Sequence, residues 1–143
     1  MKISRLLDRK GSYVATVRPN AAIIDAVREL AKRSIGALVV SDDGRGISGI
    51  VSERDVVRAI SQFGSAILDS PVRMIMSEDL FVCSPDDVVD SLMSTMTDHR
   101  IRHIPVLCDG ALSGIVSIGD LVKTRLDELE LEREALKQYI TAR

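Results

Sequence analysis

Ile47-Ser-Gly-Ile-Val-Ser52, near the middle of the chain, returns as Leu112-Ser-Gly-Ile-Val-Ser117 in its second half. The stretches that precede these two motifs also match, in the same order. The matching pairs are Ile3 to Leu7 with Val72 to Met76, Val14 to Pro19 with Leu80 to Pro85, and Ile35 to Val40 with Ile101 to Val106. A chain that repeats its motifs in one order indicates two copies of one structural unit, so the sequence is a tandem duplication.

Each copy predicts a strand, a helix, two strands and a second helix. Tyr13 to Val17 is a short run that favours β-structure and stops before Pro19, a residue that suits the first turn of a helix. Ser84-Pro85-Asp86-Asp87 carries a helix-start pattern in the second copy, with serine at the cap and an acid at the third helical position. Apolar residues at helical spacing then predict one buried face per helix: Ile23, Val27, Leu30 and Ala31 in the first copy, and Val89, Leu92, Met93 and Met96 in the second.

Two hairpins are predicted after these helices. Ala37 to Val40 and Ile104 to Leu107 are short apolar runs without clear alternation, as expected of strands covered on both faces. Asp42-Asp-Gly-Arg-Gly46 and Cys108-Asp-Gly110 follow them. Asp-Gly between apolar runs favours a hairpin turn, so each run should fold back on the repeated Gly-Ile-Val-Ser motif.

Each hairpin leads to a second helix, which covers Asp55 to Gln62 in the first copy and begins at Asp120 in the second. One copy cannot cover both faces of its strands, whereas two copies packed together can. The sequence therefore predicts a mixed α/β (α+β) fold in which two β-α-β-β-α repeats form one intertwined module. Its predicted parts are a first repeat over residues 1–70, a second over residues 71–126, and a C-terminal helical tail over residues 127–143.

The last helix outruns its counterpart in the first copy. Residues 121–142 contain neither glycine nor proline, so the helix can continue to about Ile140. An apolar stripe at alternating three- and four-residue spacing, interrupted by Arg133, runs along it: Val122, Leu126, Leu129, Leu136 and Ile140. The stripe either packs on the chain's own core or forms a seam against a second subunit. A homodimer is the expectation, because the first repeat has no equivalent tail to pack beside it.

Composition narrows the functional class. The 143 residues are 45% hydrophobic and 28% charged, as in a soluble globular protein. A net charge of −2, scattered basic residues and few aromatic residues argue against nucleic-acid binding. No apolar run reaches the roughly 18 residues of a membrane-spanning helix, and no secretory signal is evident, so we expect a cytoplasmic protein without membrane contact. Cys83 and Cys108 lie in apolar runs and are expected to be small buried hydrophobes, with no disulfide and no metal.

Ser52-Glu-Arg-Asp55 and Ser117-Ile-Gly-Asp120 place a serine three residues before an acid, where each hairpin enters its helix. Such a pair is a capping box and needs no ligand. The same helix start is also a natural anion site, and a carboxylate there can accept hydrogen bonds from the vicinal hydroxyls of a ribose. Arg102 and His103 add a guanidinium fork and an imidazole on opposite faces of one strand, so each could address a different side of a central cleft.

These motifs resemble those of the CBS domain. In the second copy the resemblance rests on Val82-Cys-Ser-Pro-Asp86, Ile101-Arg-His-Ile-Pro-Val106 and Gly114-Ile-Val-Ser-Ile-Gly-Asp120, and in the first on Val17-Arg-Pro-Asn20, Ile35-Gly-Ala-Leu-Val-Val40 and Gly49-Ile-Val-Ser-Glu-Arg-Asp55. It covers nearly the whole chain, in a layout close to the small prokaryotic pairs also found in inosine monophosphate dehydrogenases. Two such repeats are called a Bateman module. The resemblance implies two clefts able to hold AMP, ADP, ATP, S-adenosyl compounds or NAD.

The resemblance also implies roles for individual residues. The ribose would be held by Asp55 and Asp120, with Ser52 and Ser117 beside the ribose or phosphate. Backbone that frames the adenine would come from Thr16, Val17, Val82 and Cys83. Phosphates would meet Arg54, Arg102 and His103. The predicted site is completed by Gly36, Ala37, Ile104, Pro105 and Gly119.

The two copies differ within this predicted site. Gly36-Ala37 stands where the second copy has Arg102-His103, and Ile118-Gly119 stands where the first has Glu53-Arg54. The two clefts are therefore expected to be inequivalent.

We expect a regulatory module that binds an adenine nucleotide (AMP, ADP, ATP or NAD(H)), senses energy or redox state and modulates a partner such as an enzyme or a transporter. The alternative is an oligomerisation module whose clefts are non-functional. Catalysis is not expected, because both serines already have a capping explanation and His103 has no evident acid partner nearby in the sequence.

Overall fold

Each half of the protein folds into a hairpin flanked by two helices, in a computed structural model that describes residues 1–142. The helices are α1 (Ile3–Lys10), α2 (Ile23–Arg33), α3 (Glu53–Phe63), α4 (Val89–His99) and α5 (Ile118–Thr141), and the strands are β1 (Thr16–Val17), β2 (Ala37–Val40), β3 (Gly49–Ser52), β4 (His103–Cys108) and β5 (Ala111–Ser117). Two short 3₁₀ turns, Ser65–Asp69 and Val72–Met74, connect the halves. Arg143, the last residue of the predicted tail, lies outside the described residues.

Both predicted hairpins are confirmed. β2 and β3 pair antiparallel with Ala37 opposite Ser52. β4 and β5 pair in the same way with His103 opposite Ser117. All four residues of β2 are buried, as are three consecutive residues of β4, which agrees with strands covered on both faces. Each hairpin therefore delivers a Ser-x-x-Asp motif to the start of its second helix.

The first strand of each repeat is shorter than its sequence pattern predicted. β1 contains two residues and lies parallel to β2, with Thr16 opposite Val39. Its counterpart in the second half is a single parallel bridge between Cys83 and Val106. Each hairpin thus gains a short parallel neighbour at one edge.

The predicted helix starts at the two prolines were wrong, because Pro19 and Pro85 lie in turns ahead of α2 and α4. Ser84 and Asp87 do make a bond of the capping type, in which Asp87 Oδ2 accepts from the Ser84 N–H at 2.8 Å. That bond closes a turn, however, and not a helix. The physical reason is that the Asp87 carbonyl accepts the N–H of Ile3 at 2.8 Å. This carbonyl is therefore bonded to another part of the chain and does not accept a hydrogen bond within a helix.

The two cysteines differ in environment. Cys83 is buried as predicted, and burial, with a smaller contribution from the charge of Asp87, raises the pKa of its thiol to about 12. Cys108 is exposed, which corrects the prediction that both are buried. Its apolar run ends at the Asp109-Gly110 turn, where both residues have positive φ, and this places Cys108 at the solvent end of the hairpin.

The segment that precedes each repeat binds the other repeat. At the start of the chain, Ile3 donates its N–H to Asp87, and Val89 donates to the Met1 carbonyl at 3.0 Å. The corresponding bonds join Val72 to the Ala21 carbonyl at 2.8 Å and Ile23 to the Ser70 carbonyl at 2.9 Å. The two halves therefore exchange their leading segments reciprocally.

Side-chain packing follows the same exchange. The core of the second repeat includes three residues of α1, and the core of the first includes Val72 from the connection. A third layer lies between the sheets and contains residues of both halves, among them Val39, Ile50, Leu112 and Ile115. The two repeats form one intertwined module, as their sequence predicts.

The glycine of each Gly-Ile-Val-Ser motif lies where the exchanged segment crosses. A Cβ atom added at Gly114 would stand 2.8 Å from Leu7 Cδ2, and one added at Gly49 would stand 2.9 Å from Met76 Sδ. Leu7 and Met76 are the last residues of the two matching segments. The repeated glycine is therefore explained by close approach of the other repeat.

Replacing Gly49 with alanine should destabilise the protein more than the same change at Gly114. The added methyl at Gly49 meets the Ser77 carbonyl oxygen at 2.8 Å, and Ser77 is held by two backbone hydrogen bonds to Ile50. At Gly114 it meets the movable end of a leucine. We expect a loss of about 1–3 kcal/mol for Gly49→Ala in urea denaturation.

Gly46→Ala is the matched control, since its new methyl would find its nearest atom 3.8 Å away. Equal stability of Gly49→Ala and Gly46→Ala would contradict the packing explanation.

Candidate functional site

Both Ser-x-x-Asp motifs form complete capping boxes. Ser52 Oγ accepts from the Asp55 N–H at 3.3 Å, and Asp55 Oδ2 accepts from the Ser52 N–H at 2.8 Å. The equivalent bonds of Ser117 and Asp120 are 3.1 Å and 2.9 Å. The capping interpretation is confirmed, but it uses only Oδ2 of each carboxylate. Within residues 1–142, the Oδ1 atom of Asp55 accepts no hydrogen bond, and neither does the Oδ1 atom of Asp120. Each aspartate therefore has one carboxylate oxygen, Oδ1, available to a ligand.

A lysine from the far end of the sequence joins the second junction. Lys10 Nζ lies 2.5 Å from Asp120 Oδ2 and donates to the Ile115 carbonyl at 2.6 Å. Lys10 is the last residue of α1, so the exchange of leading segments carries it there. Among residues 1–142, Asp55 has no ion-pair partner. The two junctions therefore differ in charge.

Asp120 is held as a carboxylate. Burial by itself would raise its pKa, but the hydrogen bond from Lys10, the bonds from Ser117 and the charge of Lys10 together outweigh burial. The net result is a pKa below the usual range of an aspartate. A charged acceptor is therefore present at this helix start throughout the physiological pH range.

His103 extends the second junction across to the first repeat. A methyl group at Gly36 would lie 3.4 Å from His103 Cε1 and 3.7 Å from Glu53 Oε1. Burial, and then the charge of Lys10, lower the pKa of His103, while Asp120 and Glu53 oppose that shift. The imidazole is therefore mostly uncharged at neutral pH. In space His103 does have acidic neighbours, which its sequence surroundings did not reveal.

Arg102 lies in a different neighbourhood. With Arg54 of the first repeat and Arg100 it lines a pocket of about 460 Å³, whose other lining residues are Met96, Thr97, Ile101 and Ile118. None of the three arginines forms an ion pair within residues 1–142. The structure thus places Arg102 and His103 in separate surroundings and brings Arg54 beside Arg102. Arg100 was not among the predicted site residues, and its spacing of two from Arg102 is the signal that could have indicated it.

The equivalent groove of the first repeat is mainly apolar. It has a volume of about 490 Å³ and is lined by Val27, Leu30, Ala31, Ser34, Ile35, Glu53, Val56 and Val57. Ser34 ends α2 in the left-handed conformation, as Arg100 ends α4. The second pocket has three cationic groups where the first has one acidic group, Glu53, so the two pockets suit different chemistry.

The remaining predicted residues are divided by burial. Thr16, Val82 and Gly119 are exposed, and Val17 and Gly36 are half-buried. The side chains of Ala37, Cys83, Ile104 and Pro105 are buried, so they could offer a ligand only backbone atoms. The backbone of Cys83 already pairs with that of Pro105 at 3.0 Å.

Metal-binding clusters and membrane-spanning helices are both absent from residues 1–142. Within residues 1–142, no group of three or more His, Cys, Asp or Glu side chains is arranged to hold a metal ion. In the same part of the chain, no helix combines the length and the apolar character needed to cross a membrane.

Comparison with known families agrees with the duplicated architecture. The family model of the CBS domain matches residues 11–62 and, a second time, residues 72–127. The chain belongs to the CBS-domain family. The two matches place one Ser-x-x-Asp junction in each domain of this CBS pair.

Relatives of this CBS pair occur in plants and bacteria. The mitochondrial CBS domain-containing protein CBSX3 of Arabidopsis thaliana is 39% identical over 122 residues, which cover 82% of this chain and 59% of that relative. The crystal structure of the CBS-domain containing protein ATU1752 from Agrobacterium tumefaciens has a TM-score of 0.85 and 42% identity, covering 87% of this chain and 99% of that one.

A more distant structure shares the fold and contains ligands. The CBS domain pair of protein MJ0100 has a TM-score of 0.79 and 22% identity, and the alignment covers 90% of this chain and 98% of that one. That structure is a complex with 5′-methylthioadenosine and S-adenosyl-L-methionine.

Removing the Lys10–Asp120 ion pair should make the free energy of unfolding depend less on pH in the acidic range. The pKa of Asp120 is lowered in the folded protein. The charged Asp120 side chain therefore adds to the free energy of unfolding above the unfolded pKa of about 3.9, and this stabilisation is lost as pH falls through the pKa of the folded protein. We expect Lys10→Met to cost about 1 kcal/mol at pH 7, with the gap closing below pH 4, in urea midpoints measured across pH.

Lys2→Met is the control, because Lys2 and Asp86 form an exposed pair at 3.9 Å. The assignment is wrong if Lys10→Met and wild type stay equally far apart in urea midpoint at pH 7 and pH 3.

Proposed function

We propose that this CBS pair is a regulatory module that binds an adenine nucleotide at the Asp120 junction. The observation that carries the proposal is the charge difference between the two junctions. Asp120 forms an ion pair with Lys10, and three arginines line the pocket of the second repeat, whereas Asp55 lacks an ion-pair partner within residues 1–142 and the pocket of the first repeat is lined by the acid Glu53. A ligand with both a sugar diol and an anionic group fits the first arrangement better than the second.

The ribose would bind the free edge of the Asp120 carboxylate. Oδ2 is held by the Ser117 N–H, which fixes the side chain, and Oδ1 is open. Two vicinal hydroxyls can donate to one carboxylate, as they do in dinucleotide folds. The N-terminus of α5 adds a positive dipole at the same place.

An anionic group beside the ribose would be bound by Lys10, which the exchange of leading segments brings to Asp120. Lys10 Nζ is already in contact with Asp120, so a phosphate attached to the ribose comes within its reach. Arg54, Arg100 and Arg102 line a separate pocket and would provide planar donors for an anionic group that enters that pocket. A cation beside the ribose site favours AMP, ADP, ATP or NAD over an uncharged nucleoside.

The Asp55 junction would bind such a ligand more weakly or accept a less charged one. Its neighbouring groove is mainly apolar, and the one charged residue that lines it is Glu53, an acid that repels phosphate. The adenosyl compounds bound by the MJ0100 pair support an adenosine-type ligand in general. Inequivalent clefts would let one module respond to nucleotides of different charge.

Regulation would pass through α1. A ligand that takes Lys10 from Asp120 changes the contact between the end of α1 and the second repeat. A ligand shifts a conformational equilibrium only by its differential affinity for the two states, and under this proposal the Lys10–Asp120 ion pair would be present in one state and broken in the other. The regulated partner, whether an enzyme or a transporter, would read that change. Cytoplasmic location and the lack of catalysis stay predictions.

A pure oligomerisation module is the second candidate. It is favoured by one observation, the apolar side chains that α5 exposes to solvent. If the protein is only an oligomerisation module, adenine nucleotides should neither bind it nor change its oligomeric state.

Titration calorimetry with AMP, ATP and NADH tests the proposal. We expect at least one of them to bind, and Asp120→Asn to weaken that ligand about tenfold or more, since a hydrogen bond to a charged group is lost. Asp55→Asn is the matched control, because it makes the same change in the other capping box, and it should alter the affinity by less than about twofold on the same scale.

Two results would count against the proposal. The absence of heat with all three nucleotides would favour the oligomerisation module. Equal losses of nucleotide affinity in Asp120→Asn and Asp55→Asn would show that the charge difference between the junctions does not decide which junction binds the nucleotide.

A further inference from the structure

Helix α5 extends far beyond the core of the module. It has 24 residues, which corresponds to about 36 Å. Only Leu121 and Thr124 are buried in it, and every described residue from Leu129 onward is exposed. The interpretation that the apolar stripe packs on the chain's own core is therefore wrong for most of its length.

The exposed stripe has the spacing of a coiled-coil seam. Leu126, Leu136 and Ile140 are 61%, 63% and 67% exposed, and Val122 and Leu129 continue the same line. Steps of four and three residues alternate along it, with Arg133 at the remaining seam position. An exposed apolar stripe with this spacing is typical of a helix that pairs with another helix.

Charged residues beside the stripe select a parallel partner of the same sequence. Arg125 and Glu132 lie on one flank, and Glu130 and Lys137 lie on the other. In a parallel pair, each residue of the first flank faces the residue five positions later on the second flank of the other copy. Arg125 therefore meets Glu130 of the second copy, and Glu132 meets Lys137 of the second copy, each twice by symmetry.

The antiparallel pair that overlaps the whole stripe has the wrong charges. It places Glu130 against Glu130 of the second copy and Glu132 against Glu132 of the second copy. It also places Lys123 against Lys137 of the second copy. All three are like-charge contacts, and other antiparallel registers leave part of the stripe uncovered.

We propose that two copies of this chain associate through a parallel two-stranded coiled coil of α5. Arg133 would face Arg133 of the second copy inside the seam, which fixes the register and weakens the pair. Such a dimer would be reversible at moderate concentration. The proposal concerns the tail and does not depend on a nucleotide in either cleft.

Charge exchange at the flanks tests the pairing in the full chain by analytical ultracentrifugation. Glu132→Lys should weaken dimerisation about tenfold, because two attractive flank pairs become repulsive. Adding Lys137→Glu should restore dimerisation, because the attractive pair is rebuilt with reversed sign. Glu134→Lys is the control, since it makes the same charge change away from the seam. Arg125 is unsuitable, because it already bonds Glu128 of its own helix at 3.1 Å.

Arg133→Leu should tighten the dimer about tenfold by removing the repulsion between the two Arg133 side chains and adding an apolar seam contact. A chain that stays monomeric at high concentration in wild type and in Arg133→Leu would overturn the proposal. Equal dimerisation of Glu132→Lys and of the double variant would do the same.

Cysteine cross-linking tests the orientation in a Cys108→Ser background, because Cys108 is exposed. A parallel pair places Ile140 beside Ile140 of the second copy, so oxidised Ile140→Cys should form a covalent dimer. Gln138→Cys, on the outer face, should not. An antiparallel pair places Ile140 near Val122 of the second copy, so a failure of Ile140→Cys to cross-link in a protein that dimerises would overturn the parallel arrangement.

Discussion

Two backbone hydrogen bonds, from Ile3 to the Asp87 carbonyl and from Val72 to the Ala21 carbonyl, hold each repeat against the segment that leads into the other. Neither hairpin can be covered without this exchange, because the residues that pack on Gly114 and Gly49 come from the opposite segment. The requirement for glycine in the repeated motif follows from that crossing. The duplication is therefore one module and not two domains in series.

The exchange also determines the chemistry of the junctions. It places Lys10 on Asp120, and it leaves Asp55 without an equivalent cation within residues 1–142. The packing of the two halves likewise brings Arg54 beside Arg102. A pair of nearly identical capping boxes thus acquires different electrostatic surroundings, and the proposed preference for an anionic adenine ligand at one junction rests on that difference.

Sequence patterns predicted the features that depend on neighbouring residues. The hairpins, the buried strands, both capping boxes and the length of α5 are local, and all were confirmed. The contact between Lys10 and Asp120 spans 110 positions, and no local pattern indicates it. The helix starts near Pro19 and Pro85 were wrong for the same reason, since the exchanged segment binds the turn that a helix would otherwise use.

Hydrogen exchange measured by mass spectrometry in increasing urea tests most directly whether the two repeats are one cooperative unit. Leu7→Ala removes a buried side chain that belongs to the core of the second repeat, and such a change in a core typically costs about 2–5 kcal/mol. If the two repeats are one cooperative unit, the opening free energies of β3 and β5 fall together by the same amount. Loss of protection in β5 alone, with β3 unchanged, would contradict it.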